Sequence, residues 1–256
     1  MESRIAQAVI LSAGLGTRLR EVTGDAIPKV MVPIQGKPLL EWHIERLRQY
    51  GVKEFFVNLF YLPETIRDYF GDGSKWGVKI HYVLEEPEIR GTAGGVKNFS
   101  AEGGSASGGD GYLKDNFFVI YGDVFNLIDY NDMAEAFFKK QGAVAMEVVG
   151  DNDHPHDSDL VEIDEEMKFL TIHPKPHTTL PERYKAMRAA AFIFNKEILK
   201  YIPANTYYEI DHQLLPDLLA RGYTIYGYEC DKFIKDIGTP ERYQAVNRYV
   251  QENKLG

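Results

Sequence analysis

Short apolar runs alternate with amphipathic stretches through the first half of the chain, and few folds tolerate that alternation. Residues 5–12 form a short, largely apolar run that ends in small residues, the pattern of a strand buried between two layers and followed by a turn. Residues 39–50 carry Leu39, Leu40, Trp42, Ile44 and Leu47 among charges, an amphipathic helix with Gly51 as its terminator. Residues 55–59 read as a second strand, 63–70 as a helix opened by Pro63, and 78–84 as a third strand. Strands separated by helices require crossover connections, so the spacing predicts an α/β fold: a doubly wound, Rossmann-like, mostly parallel mixed sheet. Further strands are expected at 117–121, 143–149, 160–163, 189–194 and 224–229. Helices are expected at 133–140, 213–219 and 240–253, the last capped by Thr239 with Pro240 at its first position.

No linker interrupts the 256 residues, which predicts one domain over 1–256. Residues 103–111, all small or polar, read as a surface loop, and 151–159 are too polar and proline-broken for regular structure. With 29 Lys+Arg against 38 Asp+Glu the formal net charge is −9, which argues against nucleic-acid backbone binding but not against a nucleotide met by a few local cations. The single cysteine, Cys230, excludes an internal disulfide framework. No apolar run is long enough to span a membrane, and Met1-Glu2-Ser3-Arg4 lead into a strand without a signal-peptide core; a cytoplasmic protein is expected.

The strongest local signal directly follows the first strand: Ser12-Ala13-Gly14-Leu15-Gly16-Thr17-Arg18. A glycine-rich turn there lets backbone N–H groups approach an anion, and Arg18 adds a fork of donors suited to phosphate. It is not the dinucleotide fingerprint, because Leu19 stands where the third glycine belongs. The second strand also ends in Phe60 and Tyr61 without a ribose-holding carboxylate, so a dehydrogenase is disfavoured. The phosphate-loop Gly-Lys-Ser/Thr is missing as well.

Pro28-Lys29 follows, and later come Gly91-Thr92-Ala93-Gly94-Gly95, Tyr121-Gly122-Asp123-Val124, Pro174-Lys175-Pro176 and Asp236-Ile237-Gly238-Thr239-Pro240. Together, in this order, these blocks resemble the sugar-1-phosphate nucleotidyltransferases, nearest to the mannose- and heptose-1-phosphate guanylyltransferases. The resemblance implies the nucleotidyltransferase A-type fold and transfer of a nucleoside monophosphate from an NTP to a sugar-1-phosphate, with pyrophosphate released. It implies Arg18 and Lys29 on the triphosphate and Asp123 and Asp236 as carboxylates for Mg²⁺, a hard ion that takes oxygen ligands. It places Leu11, Ala13, Gly14, Gly16, Thr17, Gly91, Thr92 and Ala93 against the nucleotide, and Lys175, Arg188 and Glu209 against the sugar phosphate. Dimerisation is a family-level expectation. With the final helix ending near residue 253, no acyltransferase-like extension is expected.

Glu86, with Glu85 beside it, occupies the position where thymidylyl and uridylyl relatives carry a Gln that reads the pyrimidine. A carboxylate's two acceptors match the adjacent N1–H and N2–H₂ of guanine, so GTP is favoured. The acceptor half departs from the family. Pro174 replaces a Glu, Arg188-Ala189-Ala190 replaces Asn-Ala-Gly, and Phe233 and Glu21 replace a Trp and a Pro. Glu209 and Asp211 keep the family's Glu-x-Asp. Arg188 reads either as a contact to an anionic or polyhydroxylated group or as a surface charge. His154 and His156 with their neighbouring aspartates match no helix-borne zinc spacing and read as a solvated acidic loop. Two other outcomes stay open: uridylyl or thymidylyl transfer to another phosphorylated acceptor, and a non-catalytic homologue that binds nucleotide sugars, which intact Lys29, Asp123 and Asp236 disfavour.

Overall fold

A computed structural model describes residues 5–100 and 113–255; the expectations for residues 1–4 and 103–111 lie outside them. The first strand is β1 (Gln7–Leu11), whose Gln7 to Ile10 are buried, as a largely apolar central strand requires. A single helical turn, α1 (Arg20–Thr23), and a small hairpin of β2 (Pro33–Ile34) against β3 (Lys37–Pro38) precede α2 (Leu39–Gln49). Then β4 (Glu54–Leu59), α3 (Pro63–Phe70), β5 (Lys79–Leu84), α4 (Gly91–Lys97) and β6 (Asn116–Tyr121) alternate as the periodicity predicts. These strands pair in parallel in the order β5-β4-β1-β6. From β1 the chain steps outward to β4 and β5, then returns to the opposite flank of β1 for β6. Connections therefore leave β1 in opposite directions, which opens a crevice at the carboxyl ends of β1 and β6.

The second half is β7 (Val124–Asn126), α5 (Tyr130–Lys139), β8 (Ala143–Gly150), β9 (Leu160–Ile163), β10 (Phe169–His173), β11 (Tyr184–Asn195), α6 (Leu215–Ala220), β12 (Thr224–Glu229), β13 (Ile234–Asp236) and α7 (Pro240–Glu252). Strand β11 runs antiparallel to β6, β8 and β9, and β12 parallel to β8, so the nine-stranded sheet is mixed. Parallel pairing is confined to the β5-β4-β1-β6 block and the β8-β12 edge. The strand expected at 189–194 is the end of the 12-residue β11, and the helix expected at 213–219 begins earlier, as a π turn over Ile210–Leu214. Thr239 caps α7 by accepting from the Arg242 N–H, as expected.

The main core fills both faces of the sheet, with Phe55, Phe56, Phe118 and Phe192 fully buried. A second, smaller core gathers Leu19, Val32, Ile34, Leu39, Trp42, Phe125, Ile237, Val246 and Val250. It ties the segment after β1 to the antiparallel ribbon β7-β13 and to α7. Among the described residues no helix is long and apolar enough to cross a membrane.

Candidate active site

A cleft of about 270 Å³ opens where the topology places it, past the carboxyl ends of β1, β4 and β6. Its floor and near wall are Leu11, Ser12, Ala13, Gly14, Gly16 and Asn58, and its far wall is Ile89, Gly91, Thr92 and Tyr121. Lys29, Val30, Asp123, Tyr207 and Glu209 complete it. A groove of about 250 Å³ adjoins it, lined by Leu15, Gly16, Thr17, Arg18, Lys29, Ile89 and Gly238. Lys29 lines both hollows and so stands at their junction.

Local sequence explains that placement. Pro28 is extended and starts a 3-10 turn, Lys29–Met31, whose Val30 and Met31 bury themselves and leave the Lys29 side chain facing the cleft. Gly16 has φ +62°, and a Cβ there would stand 3.0 Å from the Lys29 Cβ, so the loop can lie on Lys29 only as glycine. Lys29 Nζ donates to Asp123 Oδ2 at 2.5 Å, the lysine side chain being only 11% exposed. Beneath the turn, His43 of α2 donates to the Gly122 carbonyl at 3.2 Å. Burial holds that imidazole down to about 4, so it is neutral and Nε2 carries the proton.

Asp123 and Asp236 meet through the ribbon: Asp236 pairs with Val124, and the Ile237 N–H donates to the Asp123 carbonyl at 2.9 Å. Arg242 Nη1 donates to both oxygens of Asp236, at 2.8 and 2.7 Å, and the Gly238 N–H donates to Oδ1 at 2.9 Å. Burial works against the Asp236 carboxylate, yet these donors hold its pKa below the ordinary value. Among the described residues the second oxygen of Asp123 accepts no hydrogen bond. Two carboxylates, Asp123 in the turn before β7 and Asp236 at the end of β13, offer only hard oxygen donors, the chemistry a divalent ion such as Mg²⁺ requires.

At the ends of β1 and β4 the cleft rests on a buried amide. Asn58 accepts from the Ser12 N–H at 2.7 Å and donates to Glu85 Oε1 at 2.9 Å, while Glu85 Oε2 accepts from the Arg90 N–H at 2.7 Å. Glu85, 1% exposed, is thus a structural acceptor, and burial raises its pKa. Glu86 is exposed, and its carboxylate has no hydrogen-bond partner among the described residues; only its carbonyl is used, accepting from Arg90 Nη2 at 2.9 Å. The glycines of α4 answer to packing. Gly91 has φ +74°, and a Cβ on it would lie 2.7 Å from the Tyr208 carbonyl.

Around Tyr207 and Glu209 runs a chain of acids and cations. Tyr207 donates to Glu209 Oε1 at 2.7 Å, and His212 lies 3.5 Å from Glu209 Oε2 and 3.1 Å from Asp159 Oδ2. Asp159 in turn accepts from the Lys175 N–H at 3.0 Å, with Lys175 Nζ 3.7 Å from Oδ2. Burial disfavours the His212 cation, but Asp159, Asp211 and Glu209 outweigh it and raise its pKa. Behind them Tyr121 donates to Asp211 Oδ2 at 2.5 Å, while Asp211 Oδ1 is shut off from solvent without a partner. Glu147 is fully buried on β8 with neither oxygen hydrogen-bonded. Burial and then the Asp211 charge push Glu147 well above the usual carboxylate range, and burial lifts Asp211 to about 6.

Leu11, Ala13, Gly14, Gly16, Thr17, Arg18, Lys29, Gly91, Thr92, Asp123 and Glu209 therefore converge on the two hollows. Ala93 does not line them, being buried in α4, and Lys175 meets the site only through Asp159. Arg188 is not brought to the lining either: it lies in the irregular stretch of β11 opposite β8, folds against Gly150 and donates to the Asp151 carbonyl at 2.7 Å. It is also no free surface charge, because its Nε is buried. Asp159, expected in a solvated loop, is bound on three sides. The sequence gives no signal for His212 and Tyr207 and no site role for Tyr121 or Asp159; for Asn58 the available signal is a polar residue near the end of the apolar strand β4. No cluster of three or more His, Cys, Asp or Glu suited to a metal occurs among the described residues, the 151–159 segment included.

A family model described as nucleotidyl transferase matches residues 7–253. The chain is 33% identical over 252 residues to a UTP–glucose-1-phosphate uridylyltransferase of Synechocystis sp., covering 94% of this chain and 62% of that protein. It is 30% identical over 244 residues to a mannose-1-phosphate guanylyltransferase of Mycobacterium tuberculosis, covering 95% and 64%. It thus spans less than two thirds of the length of either relative. Among solved structures, HddC from Yersinia pseudotuberculosis complexed with GMP-PN matches with a TM-score of 0.73 at 26% identity, over 96% of this chain and 99% of that one.

Proposed function

Since the chain belongs to the sugar-1-phosphate nucleotidyltransferase family, we propose that it transfers a nucleoside monophosphate from an NTP to a sugar-1-phosphate. An oxygen of the acceptor phosphate bonds to the α-phosphorus, the bond from that phosphorus to the bridging oxygen breaks, and pyrophosphate leaves. The observation that carries this reading is the position of Lys29, at the junction of the two hollows and bonded to Asp123.

Such a transfer asks the protein for alignment and for cations where charge accumulates. Arg18 and the loop 14–17 line the groove suited to the leaving phosphates, and Lys29 stands where it can neutralise the α-phosphate oxygens. Asp123 and Asp236 would hold Mg²⁺, which supplies charge neutralisation at the phosphates. Lys29 then has two anionic partners in turn, Asp123 in the free protein and the phosphate in the complex. Glu209, with Tyr207 and Tyr121, faces the acceptor side, where carboxylate and phenol oxygens suit sugar hydroxyls.

We take GTP as the nucleotide and a manno-configured hexose or heptose phosphate as the acceptor. The support is the exposed, unpaired Glu86 carboxylate, which lines neither hollow but follows the buried Glu85, together with the guanylyltransferase relative and the GMP-PN complex of HddC. The uridylyltransferase relative favours UTP as the second reading. Pyrophosphate release with Mg²⁺, crossing GTP, UTP, TTP, CTP and ATP against a panel of sugar-1-phosphates, tests both. GTP with a manno-configured phosphate should give the fastest release, and Glu86→Gln should lower GTP use selectively. Fastest release with UTP keeps the reaction and removes the guanine assignment. Silence across the grid with retained nucleotide binding would point to the non-catalytic homologue.

A further inference from the structure

The two acidic residues assigned to the metal are each neutralised by a cation of the chain, and the two cations differ in origin. Lys29 belongs to the cleft itself and is 11% exposed on its side chain. Arg242 comes from the third residue of α7, outside both hollows, and its side chain is half exposed. Its single Nη1 bridges Oδ1 and Oδ2 of Asp236, while the Gly238 N–H holds Oδ1 independently. Removing Arg242 would therefore leave Asp236 oriented by Gly238, with Oδ2 free. A hard divalent ion needs a carboxylate lone pair, and Arg242 and Gly238 together take three of the about four that Asp236 offers, with the guanidinium charge set against the ion.

We propose that Arg242 is a resident counter-cation that competes with the divalent ion for Asp236, so that metal affinity is held down until nucleotide phosphates add their own oxygens to the site. This deepens the transferase reading and rests on it. Competition by a half-exposed ion pair is modest in size, which suits a partner that must be displaced in every cycle.

Mn²⁺ binding to the full chain, followed by electron paramagnetic resonance without nucleotide, tests the proposal. Arg242→Gln should bind Mn²⁺ about two- to fivefold more tightly than the unmodified protein. Arg248→Gln, which removes the same charge from an exposed position of α7, should leave binding unchanged and controls for net charge. The gain should vanish when Asp236→Asn is combined with Arg242→Gln. Equal affinity in Arg242→Gln and the unmodified protein would overturn the proposal, as would equal tightening by Arg248→Gln. Weaker binding would overturn it too, by making Arg242 a residue that orients Asp236 for the ion. Absence of Mn²⁺ binding even with GTP present would instead remove the metal assignment on which the proposal rests.

Discussion

At the scale of single residues, two buried groups near the site pull stability in opposite directions with pH. His43 is held at about 4 against an ordinary 6.5, so its neutral form favours folding above pH 6.5, and that contribution drains away as pH falls toward 4. Asp211 is lifted to about 6 from 3.8, so its ionisation opposes folding progressively from pH 3.8 to 6 and fully above. Asp211→Asn keeps an acceptor for Tyr121 and loses the charge. Its melting temperature should exceed that of the unmodified protein at pH 8, with the gap closing by about pH 4. His43→Gln should flatten the loss of stability between pH 6.5 and 4; an unchanged slope in thermal melts would remove His43 as its source. Legibility at this scale followed chemistry borne by local motifs. Lys29 and Asp123 sit in compact blocks and could be read. Asp159 could not, because its partners Lys175 and His212 lie 16 and 53 residues away.

At the scale of elements, α4 shows how a motif serves two masters. A side chain at Gly91 would meet a left-handed backbone and the Tyr208 carbonyl at 2.7 Å. Gly91→Ala should therefore cost about 2 kcal/mol or more in denaturant unfolding and displace the 206–209 segment that carries Tyr207 and Glu209 to the cleft. A variant of unchanged stability would mean that the segment gives way freely. Elements with a clear period, such as β1, α2 and β4, were legible within a residue or two. β10 was not: only Phe169 is buried, and Leu170 is 49% exposed on the outward side, which breaks the alternation a reader looks for. β7 and β13 are too short to carry any period; the ribbon that joins Asp123 to Asp236 exists only as a pairing.

At the scale of the whole molecule, two cores divide the labour. The main one supports the sheet, and the smaller one joins the segment after β1 to β7 and α7. Val246→Ala, in the smaller core, should cost about 2 kcal/mol. It should also speed hydrogen exchange in α7 and in the 3-10 turn at Lys29 ahead of β1, β4 and β6. Val57→Ala, in the sheet, should lower the melting temperature with exchange rising throughout. Identical exchange patterns in the two variants would mean a single cooperative unit. The alternation of strands and helices made the α/β class legible from sequence, but the antiparallel return of β11 was not, because its direction depends on distant partners. The smaller core also has a consequence for synthesis. Leu19, Val32 and Trp42 are made well before Ile237, Val246 and Val250, which share that core with them. A growing chain can thus form its central strands while the groove of Arg18 and Lys29 still waits for α7, so, on the proposed function, a fragment ending before α7 should bind triphosphate more weakly than the chain that includes it.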